Sequence, residues 1–300
     1  MFELLNKIYM IAVDGIILVL SCQKYLHTRL KNINLKDNYG KWKVIYVIGD
    51  LFLDCDYKLE GNFMTIKCED SYLHLLKKLA LALKYIYEIF DIKEGVLRAN
   101  DDLIFNENIL ETFLKSPKKI KINDTDDEID IDYLGKCSYG GHLINYNVLH
   151  DTLKKGINSN SYHLVYYYQT HQEDLYNPQH NLQDVDICKY SRNPYIPAVI
   201  FGPLMYLSNK SCKILINHMS DINFNIYHYD EDTDSYPYTI EDCGISFILI
   251  SNNINCLHSK YWHDNVELDM NADLLENHKK NNTLYSNNTE YLAIHTNIYK

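Results

Sequence analysis

Two uninterrupted apolar runs constrain this chain most: Ile16 to Leu20, and Val44 to Ile48, the second closed by Gly49 and Asp50. A strand with one wet face alternates apolar and polar residues. Five apolar residues in a row instead suit a strand buried on both faces of a parallel sheet. Between the runs lies a polar, partly helical stretch from Gln23 to Asn38. Strand, crossover and strand make a β-α-β unit.

The pattern continues downstream. Asp70 or Ser71 is placed to cap a helix. Tyr72, Leu75, Leu76, Leu79, Leu83, Ile86 and Phe90 then follow at helical spacing and share one face. Gly95 to Ala99 reads as a short central strand running into Asn100, Asp101 and Asp102. Ile109, Leu110, Phe113 and Leu114 mark a helix that stops before Pro117. Ser116 to Tyr133 is charged and irregular, which suggests a surface insertion. A helix is expected over Tyr146 to Lys155 with Gly156 as its C-cap. His163 to Ser191 is polar and aromatic without a clear period. Ala198 to Phe201 reads as a strand, Ser208 as the cap of a helix carrying Cys212, Ile214, Leu215 and His218, and Ile240-Glu241-Asp242 as the start of an apolar helix over Ile245 to Ile250. Tyr291 to Ile294 is a last short strand, followed by His295. The expected fold is therefore α/β, with a Rossmann-type, mainly parallel central sheet flanked by helices. No repeat or Pro/Gly-rich linker divides it, so residues 1–300 are expected to form one domain.

Charge excludes some functions. The formal net charge is −11, and no basic stripe is present to neutralise nucleic-acid phosphates. The acidic runs Asp124 to Asp132 and Asp230 to Asp234 read as solvated loops. None of the eight cysteines forms a CxxC pair, which argues against structural zinc and for a reducing compartment. No segment is long and apolar enough to span a bilayer, and the N-terminus lacks the basic and small-residue features of a signal peptide. A soluble, cytoplasmic protein is expected. The heavy use of Asn, Ile, Lys and Tyr (27 Tyr against 11 Gly) reads as the bias of an AT-rich genome, of the kind found in large viruses or protists; for a virus, the compartment would be the host cytoplasm.

Three groups of residues carry candidate chemistry. In open α/β sheets, ligands bind at the C-terminal ends of the strands. Asp101 and Asp102 stand at such an end, where hard oxygen ligands suit Mn²⁺ or Mg²⁺ bridging the phosphates of a nucleotide. The same carboxylates could instead cap a helix beginning near Phe105. Glu241 and Asp242 open an apolar helix, where two acids can simply complement the helix dipole. A carboxylate held ionised there is also suited to take a proton from a hydroxyl. His295 follows an apolar strand and is either structural or a metal ligand, with His258 and His263 as competitors for that role.

From Ile16 onward the order of motifs resembles the β-1,3-glycosyltransferase family that includes galactosyl-, N-acetylglucosaminyl- and Fringe-type enzymes. The family's Asp-Ser-Tyr followed by a Leu-rich helix with a Lys is similar to Asp70-Ser71-Tyr72 and the helix bearing Lys78. Its Lys-x-Asp-Asp-Asp signature and following Asn resemble Arg98 to Asp102 and Asn106, with Asn100 standing where the family has its first Asp. Its Gly-x-Gly-Tyr-Val-Leu-Ser stretch resembles Gly202 to Ser208, which carries Pro203 and Leu204 instead. Its Glu-Asp-Val-x-x-Gly resembles Glu241 to Gly244, and its late apolar-apolar-His resembles Ala293 to His295.

The resemblance implies a GT-A fold, with residues 15–115 as the nucleotide-sugar-binding half and 133–300 as the acceptor and catalytic half. It implies inverting transfer of a hexose or N-acetylhexosamine from a UDP-sugar to a glycan or glycoprotein hydroxyl, with Mn²⁺ or Mg²⁺ as cofactor. The metal role falls to Asp102 and His295. The catalytic role falls to Asp242 as base, with Glu241 beside it. Asn100, Asp101 and Lys78 become donor contacts, and Ser21, just past the first strand, joins them. Two rivals remain: a nucleotidyltransferase, which would usually carry a Gly-rich or basic phosphate loop where Ser21 to Lys24 stand, and a non-catalytic glycan- or protein-binding relative, which Asn100 favours.

Overall fold

A computed structural model describes residues 10–121, 128–137, 162–186, 200–227, 232, 237–266 and 290–296. The helix expected at 146–155, the first part of the strand expected at 198–201, Cys188 and most of the two acidic runs lie outside the described residues.

Both apolar runs are strands. β1 (Ile11–Leu20) and β3 (Trp42–Gly49) pair in parallel, Ile16 facing Lys43 through Leu20 facing Val47. Ile16, Ile17, Leu18 and Val19 are fully buried, because the sheet is covered on both sides. The crossover contains a 3₁₀ turn (Gln23–Tyr25) and a single helical turn, α1 (Arg29–Asn32). β2 (Asn38–Tyr39) folds back on β3. β4 (Tyr57–Glu60) and β5 (Phe63–Ile66) form a hairpin, and β5 pairs in parallel with β3. Its two-residue turn has Gly61 at φ +61°, a conformation that glycine adopts without steric cost.

Ser71 caps the next helix, its hydroxyl accepting from the His74 amide at 3.3 Å. A 3₁₀ turn (Tyr72–His74) leads into α2 (Leu75–Ile89). Leu76, Leu79, Leu83 and Ile86 line its buried face, and each contributes about 1.5–3 kcal/mol by leaving water. Phe90 belongs to the following strand rather than to the helix: β6 (Phe90–Asn100) starts there and pairs in parallel with β1. After a tight turn at Asp101 and Asp102 come β7 (Leu103–Phe105) and α3 (Glu107–Lys115). Asn106 caps α3 through the Ile109 amide, so neither Asp101 nor Asp102 is needed as a helix cap. The supposed irregular insertion contains the small antiparallel pair β8 (Lys119–Lys121) and β9 (Glu128–Asp130).

In the second half, β10 (Tyr133–Cys137), α4 (Tyr162–Thr170) and a 3₁₀ turn (Gln172–Leu175) precede β11 (Ile200–Ser208). Ser208 caps α5 (Asn209–Met219) as expected, and α6 (Glu241–Ser251) starts at Glu241. The last elements are β12 (Cys256–His258), β13 (His263–Val266) and β14 (Ala293–Thr296), so His295 lies within a strand rather than after one.

The main sheet has nine strands in the order β12-β10-β11-β6-β1-β3-β5-β4, with β2 on β3. The inner run β6-β1-β3-β5 is parallel, and β12 pairs in parallel with β10. β11 runs antiparallel to both β6 and β10, and β4 is antiparallel to β5. The expectation of a mainly parallel sheet is therefore corrected to a mixed sheet flanked by helices. The reversal at β4 follows from its short glycine turn. β11 packs closely on β6 at Gly95, where a Cβ would come within 2.2 Å of the Leu207 carbonyl oxygen. Strands from both halves of the chain share this sheet. One face carries α2, α5 and α6 in a common core, and the other carries α1, α3 and the three-stranded sheet β13-β14-β7. Among the described residues, no helix is long and apolar enough to cross a membrane.

Candidate functional site

A cleft opens where the buried strands end. Ser21 directly follows β1, Asn100 ends β6, and Asp101 follows it; all three line the cleft, together with Lys78 from α2 and Arg29 from α1. Tyr25, Tyr72, Tyr167, Asp174 and His180 complete much of the wall. The sequence had marked Ser21, Lys78, Asn100 and Asp101, and the fold brings those four to one place.

Their contacts separate binding groups from supports. Ser21 donates to Asp101 Oδ2 at 2.6 Å. Burial pushes the Asp101 carboxyl above its usual range, against the pull of Arg29 and the Ser21 hydrogen bond. Lys78 is buried, and its ammonium donates to the Ser21 carbonyl at 2.8 Å and to Asp70 Oδ1. Asp70 also accepts from the Gly49 and Gln23 amides, at 2.8 and 2.7 Å. This ties the ends of β1 and β3 together and holds the Lys78 charge at the cleft floor. Burial alone would lower the Lys78 ammonium, but the charge and hydrogen bond of Asp70 together with Cys68 and Cys22 outweigh it, and the net direction is upward. Lys24 is engaged by Asp174 at 3.3 Å, and Asp174 also accepts from the Tyr167 hydroxyl at 2.8 Å.

Asp102 and His295 meet. In the small sheet, His295 of β14 faces Leu103 of β7. That register sets the imidazole beside the preceding residue, with His295 Nε2 3.2 Å from Asp102 Oδ1. Asp102 Oδ1 is buried and faces this imidazole. Burial would raise the Asp102 carboxyl, but His295 and Arg29 outweigh it and hold it below its ordinary value. Two ligand atoms of one divalent cation stand about 3 Å apart, so the pair would fit a shared Mn²⁺ or Mg²⁺. Among the described residues no cluster of three or more His, Cys, Asp or Glu side chains is gathered for a metal, so the chain itself offers only a partial ligand set. The competitors are placed otherwise. His258 Nδ1 accepts from the Cys137 amide at 3.0 Å. His263 is buried, and burial, then Lys136 and His295, hold it down at about 3.

The helix-start acids take different partners. Glu241 is buried and receives Arg98 in a two-pronged contact, Nε to Oε1 at 2.8 Å and Nη2 to Oε2. Burial pushes its carboxyl up to about 7, against the opposing charge of Arg98. Asp242 accepts from the Gly202 amide at 3.1 Å and from the Cys243 amide at 2.8 Å. Burial raises it above its ordinary value, while these amides and Arg98 limit the rise. Arg98 links the two ends of the site: its Nη1 donates to Asn100 Oδ1 at 2.6 Å and to the Gly202 carbonyl, whose own amide holds Asp242. Glu241 is thus committed to Arg98, whereas Asp242 is held by backbone amides and the Cys243 side chain.

Sequence reasoning overlooked Arg98, Arg29 and Asp70 as parts of this network. Arg98 did leave a signal, since a charged residue inside a buried strand must be paired. Arg29 left none: it sits in a polar stretch where nothing distinguishes it from its neighbours. No protein-family model matches the chain, and no curated protein matches it.

Proposed function

We propose that this chain is an inverting glycosyltransferase on a GT-A-like frame, similar to the β-1,3-glycosyltransferase family. It would move a hexose or N-acetylhexosamine from a UDP-sugar to a hydroxyl of a glycan or protein acceptor. The observation that carries the reading is the approach of Asp102 Oδ1 and His295 Nε2 to 3.2 Å at the strand ends that border the cleft. Two residues far apart in the sequence, chosen for a shared metal role, lie at ligand spacing.

Asp102 and His295 would hold Mn²⁺ or Mg²⁺, which when bound offsets charge on the departing diphosphate. Ser21, Asn100 and Asp101 at the cleft wall orient the nucleotide, and Lys78 supplies positive potential from beneath. Asp242 takes the proton from the acceptor hydroxyl. That oxygen attacks the anomeric carbon from the face opposite UDP, the bond to the diphosphate oxygen breaks, and the new glycoside has inverted configuration. A raised carboxyl makes Asp242 a stronger base than an exposed aspartate. Glu241 and Arg98 act as positioning residues behind it.

A second reading, a non-catalytic glycan- or protein-binding relative, draws support from Arg29, which already neutralises Asp101 and Asp102 at 3.0 and 3.3 Å. A UDP-release assay over a panel of UDP-sugars, with and without Mn²⁺, separates the two. Metal-dependent release of UDP from one donor is the expected result. Silence across the panel, with Mn²⁺ and UDP failing to bind in calorimetry, would reject the transferase.

A further inference from the structure

Among the described residues, three Lys or Arg side chains line the cleft, and two are committed. Lys78 is engaged by Asp70 and the Ser21 carbonyl, and Lys24 by Asp174. Arg29 differs. A single nitrogen, Nη1, is shared between Asp101 Oδ1 at 3.0 Å and Asp102 Oδ2 at 3.3 Å. A guanidinium normally meets a carboxylate through two parallel hydrogen bonds; here the fork is not used. Arg29 Nε is buried and has no hydrogen-bond partner, which is a costly state for a donor on a charged group. The group is nevertheless held in place, with its carbon 3.7 Å from the centre of the Tyr25 ring. On the other side of Asp102, Oδ1 is equally buried and faces the His295 imidazole, with Nε2 at 3.2 Å. An unused donor on Arg29 and a carboxylate oxygen faced by an imidazole thus flank Asp102 at the cleft wall. Each would gain a partner of opposite charge: an anion at Arg29 and a cation at Asp102.

We propose that Arg29 is a phosphate-binding residue held in reserve by Asp101 and Asp102, and that a divalent cation taking Asp102 releases it to grip the diphosphate of a nucleoside diphosphate. The inference rests on the transferase reading and adds to it the residue that couples metal to nucleotide. Cation and arginine compete for the same carboxylate. Nucleotide and arginine then pair through the guanidinium fork, which matches two phosphate oxygens. Loading of the metal and of the nucleotide become mutually reinforcing, as any coupling between two sites must be. Tyr25 keeps the guanidinium plane oriented while its partners change.

The competition predicts opposite changes in two affinities, which a supporting role for Arg29 would not produce. Calorimetry on the full chain is run with Mn²⁺ alone, with UDP in saturating Mn²⁺, and with inorganic phosphate in saturating Mn²⁺, for wild type, Arg29→Gln and Arg29→Lys. For Arg29→Gln, Mn²⁺ alone should bind about threefold tighter or more, because a competing cation is gone. UDP should bind about tenfold to a hundredfold more weakly, the value of a charge-assisted hydrogen bond. Arg29→Lys keeps the charge but not the fork, so UDP should weaken by several-fold while Mn²⁺ stays near wild type; this variant decides the matter if Arg29→Gln does not fold. Tight UDP binding with little binding of free phosphate assigns the contact to a nucleotide diphosphate; equal loss of both in the variant assigns it to phosphate as such, which overturns the nucleotide assignment. UDP affinity within twofold of wild type, or weaker Mn²⁺ binding in Arg29→Gln, overturns the proposal. Wild type that binds neither Mn²⁺ nor UDP rejects the transferase reading itself, and that result is distinct from either failure of the variants.

Discussion

Removing Arg98 tests the buried network that links the two ends of the site. Arg98→Leu replaces a fully buried guanidinium with an apolar side chain. It leaves both Glu241 oxygens, Asn100 Oδ1 and the Gly202 carbonyl without the donors they now have. Stranding one half of a buried ion pair costs about 3–5 kcal/mol, a large share of a typical domain stability of about 5–15 kcal/mol. The pH dependence follows from Glu241. Its carboxyl rises from an ordinary 4.5 to about 7 in the folded protein. A raised folded value means that its stability contribution is full below 4.5, falls as pH climbs toward 7, and is constant above. In Arg98→Leu the carboxyl has lost the charge that opposes burial, so it stays protonated to higher pH. Wild type and variant therefore lose stability in parallel between 4.5 and 7. Above 7 only the variant continues to fall, by about 1.4 kcal/mol per pH unit. Urea unfolding followed by circular dichroism at pH 6, 7, 8 and 9 reads this directly. The gap should be about 3–5 kcal/mol at pH 7 and wider by about 3 kcal/mol at pH 9. Arg98→Leu combined with Glu241→Leu should recover most of the loss and abolish the slope. A gap below about 1 kcal/mol, or one that does not change between pH 7 and 9, would refute the reasoning.

Three further outcomes are expected. Asp242→Asn should lower turnover by about 10²–10⁴-fold while UDP and Mn²⁺ affinities stay near wild type; near-normal turnover in steady-state kinetics would remove Asp242 as base. His295→Ala should weaken Mn²⁺ binding on the order of tenfold or more, read by calorimetry, whereas His258→Ala should leave it unchanged; the reverse order would move the metal role to His258. Gly95→Ala should cost more than about 1 kcal/mol and lower the melting temperature, because φ is +153° and the new Cβ would meet the Leu207 carbonyl oxygen; a thermal scan that matches wild type would contradict the close approach of β6 and β11.

Much of the frame was legible without coordinates. Ile16 to Leu20 and Val44 to Ile48 announced buried strands, because only a segment covered on both faces tolerates five apolar residues in succession. The leucine face of α2 and the caps at Ser71 and Ser208 were equally plain, since helical spacing and capping depend on residues a few positions apart. The candidate site was legible as a set of positions: Ser21, Asn100, Asp101 and Lys78 do line one cleft, and Asp102 and His295 do meet. The sequence did not reveal which side chains are committed to each other. Glu241 looked like a partner of Asp242 in chemistry, but it is bound to Arg98 from a strand far away in the chain.

What the sequence determined by itself was therefore local: which segments are strands and helices, which faces are apolar, and where the chemistry-bearing residues stand relative to strand ends. The tertiary structure decided strand direction and partnership. β11 could have run either way beside β6 on its apolar pattern alone; its antiparallel pairing is a long-range outcome, and Gly95 lets the two backbones approach closely. The pairings of Arg29 with Asp101 and Asp102, of Arg98 with Glu241, and of His295 with Asp102 were decided there too. Hydrophobic periodicity records whether a residue leaves water, which its immediate neighbours largely settle. A charge is satisfied by whichever opposite charge the fold brings within a few ångströms, and no short-range pattern encodes that.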